Sequence, residues 1–467
     1  MNKRAITRVA AAAIATALPL SVISVTPALV GVAQGQTEVV AQESSSAPAS
    51  DVAPAEIRKN FETRADADAD KYVAEDDSSW RKWVYQENGD VYNRMEELKV
   101  YSPSMEREIP FVTIRAREGD DDNSIAGPQS DDEGQDIPTI YLLNGADGGE
   151  GIANWLQQTN AIDFYGNQIG NVNVVIPMAG AFSYYTDWEE PNANLDKDGH
   201  GNGGKQMWET FLTKELPGPM EDHLGAAKPG ANDANRALIG MSMTASTALV
   251  YGQQNPGFYN SIASYSGCPA TSGAWEPTVQ IVLDRAPAQY EEMWGNPNGE
   301  VAKRNDALLN ADKLAGQHNV YVSNGSGLMG EHDVPSGDRL NGNLLGSITP
   351  ATEGGVIEGM TSWCTHLLKA ETDKAGITQS SNNLVYNFRN TGTHQWGYWQ
   401  DDMFDSWPVI SEGIFPGQGE QARQQVAEAK AAYLKENPGA GNAGSTPVSS
   451  LPSLQDITEA ANEENAE

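Results

Sequence analysis

Apolar positions in this chain fall into short unbroken runs that end in Gly or Phe, rather than alternating with polar ones. "IPTIYLLNG" (137–145), "NVNVVIPMAG" (171–180), "ANRALIG" (234–240), "YNSIASYSG" (259–267), "HNVYVSNG" (318–325) and "NNLVYNF" (382–388) share this form. Unbroken runs of that length describe strands covered on both faces, as in a parallel sheet. Between them lie helical patterns: "KQMWETFLTKELPGPMEDHL" (205–224), "SMTASTALVYGQQNP" (242–256) and "GVIEGMTSWCTHLLKAETDKAG" (355–376). Strand alternating with helix predicts an α/β domain with a mainly parallel sheet, whose ligands bind beyond the carboxyl ends of the strands. Ahead of this, "EELKVYSPSMEREIPFVTIRA" (96–116) predicts two strands about a turn.

The flanks have a different texture. Lys3, Arg4 and Arg8 precede the apolar, small-residue run from Val9 to Ala33, the pattern of a secretory signal peptide, assigned to residues 1–36. No other stretch is apolar enough to span a bilayer. Residues 37–90 read as a Ser/Ala/Pro-rich linker followed by a segment with Trp80 and Trp83 that the pattern does not place. The catalytic domain is expected over 91–417, with an acidic insertion at 117–136. Residues 418–467 read as a frayed helix and an acidic low-complexity tail.

Charge narrows the partners. The chain carries 30 Lys and Arg against 64 Asp and Glu, a net charge of −34. Such a surface repels nucleic acid and anionic headgroups. Cys268 and Cys364 are the two cysteines, and an isolated pair in an exported protein is expected to be a disulfide. The Asp/Gly-rich stretch 194–208 lacks the terminal carboxylate of a calcium loop, so no metal site is expected there.

The candidate chemistry begins at "RALIGMSMTASTA" (236–248). A buried strand runs into Gly240, then Ser242, then a helix lined with small residues. This is the logic of a nucleophile elbow, although Thr244 stands where G-x-S-x-G has its second glycine. A serine needs a base, and of six histidines His394, in "GTHQWGYW" after the last strand, has the right address. The orienting acid should lie between them. Glu331, Asp333, Asp338, Glu353 and Glu358 all qualify on position alone. An oxyanion hole would take one N–H from Met243 and one from Ala146, in the Gly-rich loop after "YLLNG".

These segments together resemble a known family. "VYSPSMEREI", "LLNG", "FSYYTDW", "MWETFLTKELP", "IGMSMTASTALVYG", "MWG", "SNG" and "GTHQWGYW" occur in the order seen in the secreted mycolyltransferases of mycobacteria and corynebacteria, over roughly residues 92–405. The resemblance is closer to the corynebacterial branch. It implies an α/β-hydrolase fold and transfer of a mycoloyl group from trehalose monomycolate to a hydroxyl of trehalose, cell-wall arabinogalactan or a protein, with no cofactor or metal. It implies Ser242, Glu358 and His394 as the triad, with Glu353 as the alternate acid. Met243 and Ala146 would form the oxyanion hole, and Asn144 and Trp396 would contact substrate. In the mycobacterial branch the loop after the first parallel strand carries Asp and Arg near trehalose; here those positions are Asn144 and Asp147.

Overall fold

The computed structural model describes residues 52–59, 79–85, 94–116, 137–196, 203–226, 235–334, 348 and 350–436. The signal peptide, the acidic insertion, Asp338, His200 and the final tail lie outside the described residues. Among the described residues nine strands form one sheet. In chain order they are β1 (Glu56–Lys59), β2 (Met95–Ser102), β3 (Arg107–Ile114), β4 (Thr139–Leu142), β5 (Asn173–Pro177), β6 (Arg236–Met241), β7 (Ser261–Tyr265), β8 (Val320–Asn324) and β9 (Leu384–Phe388). Their spatial order is β1-β2-β3-β5-β4-β6-β7-β8-β9. Pairing is antiparallel from β1 to β5 through β3, and parallel from β5 across to β9.

The unbroken apolar runs have a direct structural reason. Tyr141, Val175, Leu238, Ile262 and Val320 point into one core. Their strand neighbours Ile140, Val174, Ile239, Ala263 and Tyr321 point into a second core on the opposite face. Both faces are covered by helices, so neither parity of the strand can be polar. The helices used below are α1 (Met243–Gln254), α2 (Gly355–Lys374), α3 (Trp396–Ile414) and α4 (Gly419–Glu436). This mostly parallel sheet, with a strand–serine–helix turn at the carboxyl end of a central strand, is an α/β-hydrolase fold.

Both flanks are more ordered than their composition indicates. Residues Glu56–Lys59, assigned above to the 37–90 segment, add a strand to the sheet edge by pairing with β2. Trp80, Val84 and Tyr85 are buried in the second core. Within 418–467 the structure describes the helix α4 (Gly419–Glu436). Helix α4 lies on α3, burying Ala422 and Ala429 one helical stripe apart. Trp407 Nε1 donates to Gln425 Oε1 at 2.9 Å across that contact. The domain therefore continues past residue 417 to at least the end of α4.

Candidate active site

Strand β6 ends at Met241 and α1 starts at Met243, which leaves Ser242 alone at the turn. Its backbone sits at φ 54°, ψ −118°, a region that costs a residue with a side chain of order 1–3 kcal/mol. The strain is held in place from both sides. Ser242 N–H donates to Tyr265 O on the adjacent strand at 2.8 Å. A side chain at Gly240 would lie 2.2 Å from Thr244 O, so the turn closes only over glycine.

Thr244 changes meaning in three dimensions. Its hydroxyl accepts from Met241 N–H at 3.0 Å and donates to Asn144 O at 2.9 Å. The residue that spoils the G-x-S-x-G pattern thus bolts the elbow to the loop after β4. Thr244→Val keeps the shape but strands the buried Met241 N–H. It is expected to cost about 1–3 kcal/mol, read as a lower urea midpoint at unchanged slope.

Ser242 Oγ lies 2.7 Å from His394 Nε2, and His394 Nδ1 lies 2.8 Å from Glu358 Oε2. His394 is carried by the loop between β9 and α3, and its N–H donates to Gly354 O at 3.2 Å. Glu358 lies in the first turn of α2 and is fully buried. Its second oxygen, Oε1, accepts from Gly325 N–H at 2.5 Å, Ser266 Oγ at 2.8 Å and Asn324 Nδ2 at 3.2 Å. A buried carboxylate with that many donors is fixed in orientation.

The other candidate acids are elsewhere. Glu353 is exposed on the turn before α2. Asp333 is buried, and its carboxylate accepts from Thr393 Oγ1 and Tyr398 OH. Glu331 is beside His332. Among the described residues only Glu358 meets His394. Ser266, Asn324 and Trp399 were not singled out by the sequence. Ser266 directly follows β7 and Asn324 ends β8, each a polar residue ahead of a glycine, in "YSG" and "SNG", a signal that marks strand ends facing the site. Trp399 is buried and packs edge-on against the His394 ring, with centroids 4.9 Å apart at 89°.

The loop after β4 runs flush against the elbow. A side chain at Gly145 would come within 2.8 Å of Met241 Sδ and 3.6 Å of Ser242 Cβ. Ala146 follows directly, and its carbonyl accepts from Phe182 N–H at 2.7 Å. Met243 opens α1, so its N–H has no acceptor within the helix. The Asn144 side chain is fully buried, with Nδ2 donating to Pro177 O at 2.9 Å and Oδ1 accepting from Trp155 N–H at 3.2 Å. It braces the loop. Trp396 is half-buried and stands edge-on to Trp155 and Trp399, at 5.5 and 5.1 Å. Burial pushes the Asp147 carboxyl up to about 6, partly offset by the Gly149 N–H.

Cys268 and Cys364 form a disulfide, with Cα atoms 5.1 Å apart. It ties the segment after β7 to α2, under two turns beyond Glu358. The bridge closes a sequence separation of 96 residues. Replacing both cysteines by serine is expected to cost about 2–5 kcal/mol, and a thermal melt with and without reductant measures it. Activity should fall further than stability alone explains, because α2 carries the acid.

Among the described residues no helix is long and apolar enough to cross a membrane. Residues 120–409 match the family model Esterase ("Putative esterase"). The diacylglycerol acyltransferase/mycolyltransferase Ag85B of Mycolicibacterium smegmatis is 32% identical over 66% of this chain and 82% of its own length. The Ag85A protein of Mycobacterium tuberculosis is 31% identical over 65% of this chain and 77% of its own. A solved structure, MPT51 (FbpC1) of Mycobacterium tuberculosis, aligns with a TM-score of 0.49 at 21% identity, covering 72% of this chain and 99% of that one. With an esterase match over more than half its length and Ag85 relatives of which it covers about four-fifths, the chain belongs to the mycolyltransferase family.

Proposed function

We propose that this protein is a secreted mycolyltransferase that works through an acyl-enzyme on Ser242. The observation that carries the reading is the unbroken relay from Ser242 Oγ through His394 to Glu358, at 2.7 and 2.8 Å. In the first half-reaction Ser242 Oγ attacks the ester carbonyl of trehalose monomycolate as His394 Nε2 takes its proton. The oxyanion faces the Ala146 and Met243 N–H groups. The ester C–O bond breaks, and trehalose leaves with the proton from His394. In the second, an acceptor hydroxyl gives its proton to His394 and attacks the acyl-enzyme; the acyl–Oγ bond breaks and His394 returns the proton to Ser242 Oγ. The acceptor is trehalose monomycolate or cell-wall arabinogalactan.

Trp396 supports the sugar side of this reading, since a half-buried indole beside the histidine offers a face for a pyranose ring. Asp147 stands where the mycobacterial branch carries Arg, so its sugar contacts differ in charge. The test is a product assay on purified protein with trehalose monomycolate. Trehalose dimycolate should form, and free mycolate should stay minor. Release of free mycolate alone, with or without added trehalose, overturns transfer in favour of a secreted esterase. Secretion is tested separately, by finding the protein in the envelope or medium without its leader.

A further inference from the structure

A second cluster of chemistry-bearing side chains lies one loop away from the triad. The segment after β8 carries Glu331 and His332, and α3 presents Asp401 to them. His332 Nε2 is 2.7 Å from Asp401 Oδ2 and 3.8 Å from Glu331 Oε1, and the three donor atoms all lie within 4.8 Å of one another. We propose that Glu331, His332 and Asp401 bind a divalent transition-metal ion, with Zn2+ the best fit.

The donor set is the first argument. One imidazole and two carboxylates give a nitrogen and two oxygens whose two negative charges match a dication. A tetrahedral ion about 2.0 Å from each donor sets donors roughly 3.3 Å apart. The two distances at His332 Nε2 bracket that spacing, so side-chain rotation alone can close the site. Ca2+ takes about six to eight oxygens, more than this cluster offers. The fourth position of a tetrahedron is left for water.

The surroundings are the second argument. His332 is nearly buried, and its ring packs edge-on against Tyr398 at 4.8 Å. It can sit there only because α3 has Gly397 in its first turn, where a side chain would fall 2.3 Å from His332 Cγ. While His332 keeps this seat, position 397 has room for glycine alone. The nearby cations are committed elsewhere: Arg389 to Asp402 and Lys430 to Asp405. That leaves His332 to face two carboxylates, a balance that a bound dication completes.

The ion would join the β8 loop to α3. Asp333, the next residue, already holds Thr393 and Tyr398. Thr393 precedes His394, so the metal would brace the wall of the site without touching the reacting atoms.

The test is calorimetric titration of the EDTA-treated full chain with ZnCl2. One saturable equivalent is expected, weakened at least tenfold in Glu331→Gln and in His332→Ala. With Co2+ in place of Zn2+, visible ligand-field bands should appear and be lost in His332→Ala. If His332→Ala fails to fold, Glu331→Gln, at a partly exposed position, decides the matter. Absence of a saturable site, or undiminished binding in Glu331→Gln, overturns the proposal. The readout is binding, so it stands or falls separately from the reaction at Ser242.

Discussion

Ser242→Ala should lose about six orders of magnitude in acyl transfer. That is the scale seen when a triad serine is removed and only the oxyanion hole and substrate binding remain. The folded protein should persist, because among the described residues the Ser242 hydroxyl is bonded only to His394. A fluorophosphonate probe that labels the parent chain should leave the variant unlabelled. The backbone supplies an internal control. Ala keeps a Cβ in the left-handed region, whereas Ser242→Gly removes the conflict at φ 54°. The glycine variant should therefore be equally inactive yet melt at a higher temperature, by an amount worth about 1 kcal/mol. Transfer by Ser242→Ala at more than a hundredth of the parent rate would remove the serine from the mechanism.

Glu358→Gln should cost about 10^3–10^4-fold in kcat with little change in fold. The amide oxygen can still accept from Gly325, Ser266 and Asn324. Its NH2 then faces His394 Nδ1, which must become an acceptor and move the ring proton to Nε2. That places an N–H against Ser242 Oγ, where a lone pair is needed to take the proton. The buried negative charge that stabilises imidazolium is lost as well. Glu353→Gln provides the contrast: that residue is exposed on the preceding turn and its variant should retain parent activity. The reverse result would reassign the acid.

How far the sequence reached depended on whether a feature is local. The parallel strands were legible because burial on both faces leaves no polar parity, so each appears as an unbroken apolar run. Ser242 and His394 were legible because elbow and post-strand loop each have a local signature. The acid was not. Glu358 is distinguished from Glu331, Asp333 and Glu353 only by donors from β7 and β8 that no local pattern brings together. Asn144 is a related case: the resemblance puts it at a substrate position, while its amide bonds Pro177 O and Trp155 N–H, contacts that no local pattern shows. Helix α4 reads as a frayed helix rather than a packed one because its buried stripe includes Ala422 and Ala429, whose small side chains carry little hydropathy signal. Strand β1 has only four residues, three of them charged, and takes its form from β2.

That short strand has a consequence for solubility. Without it, β2 would offer eight residues of unpaired backbone at the rim of the sheet, a template for strand addition by another copy. β1 pairs with Leu98–Tyr101 and ends the ladder with the charged Glu56 and Arg58, and Arg58 reaches across to Glu108. Charged side chains on so short a strand invite no further neighbour. The residues before the hydrolase core thus act as a gatekeeper: proteolytic trimming beyond Lys59 should leave the triad intact but expose β2 to strand addition by another copy, read as larger species in light scattering.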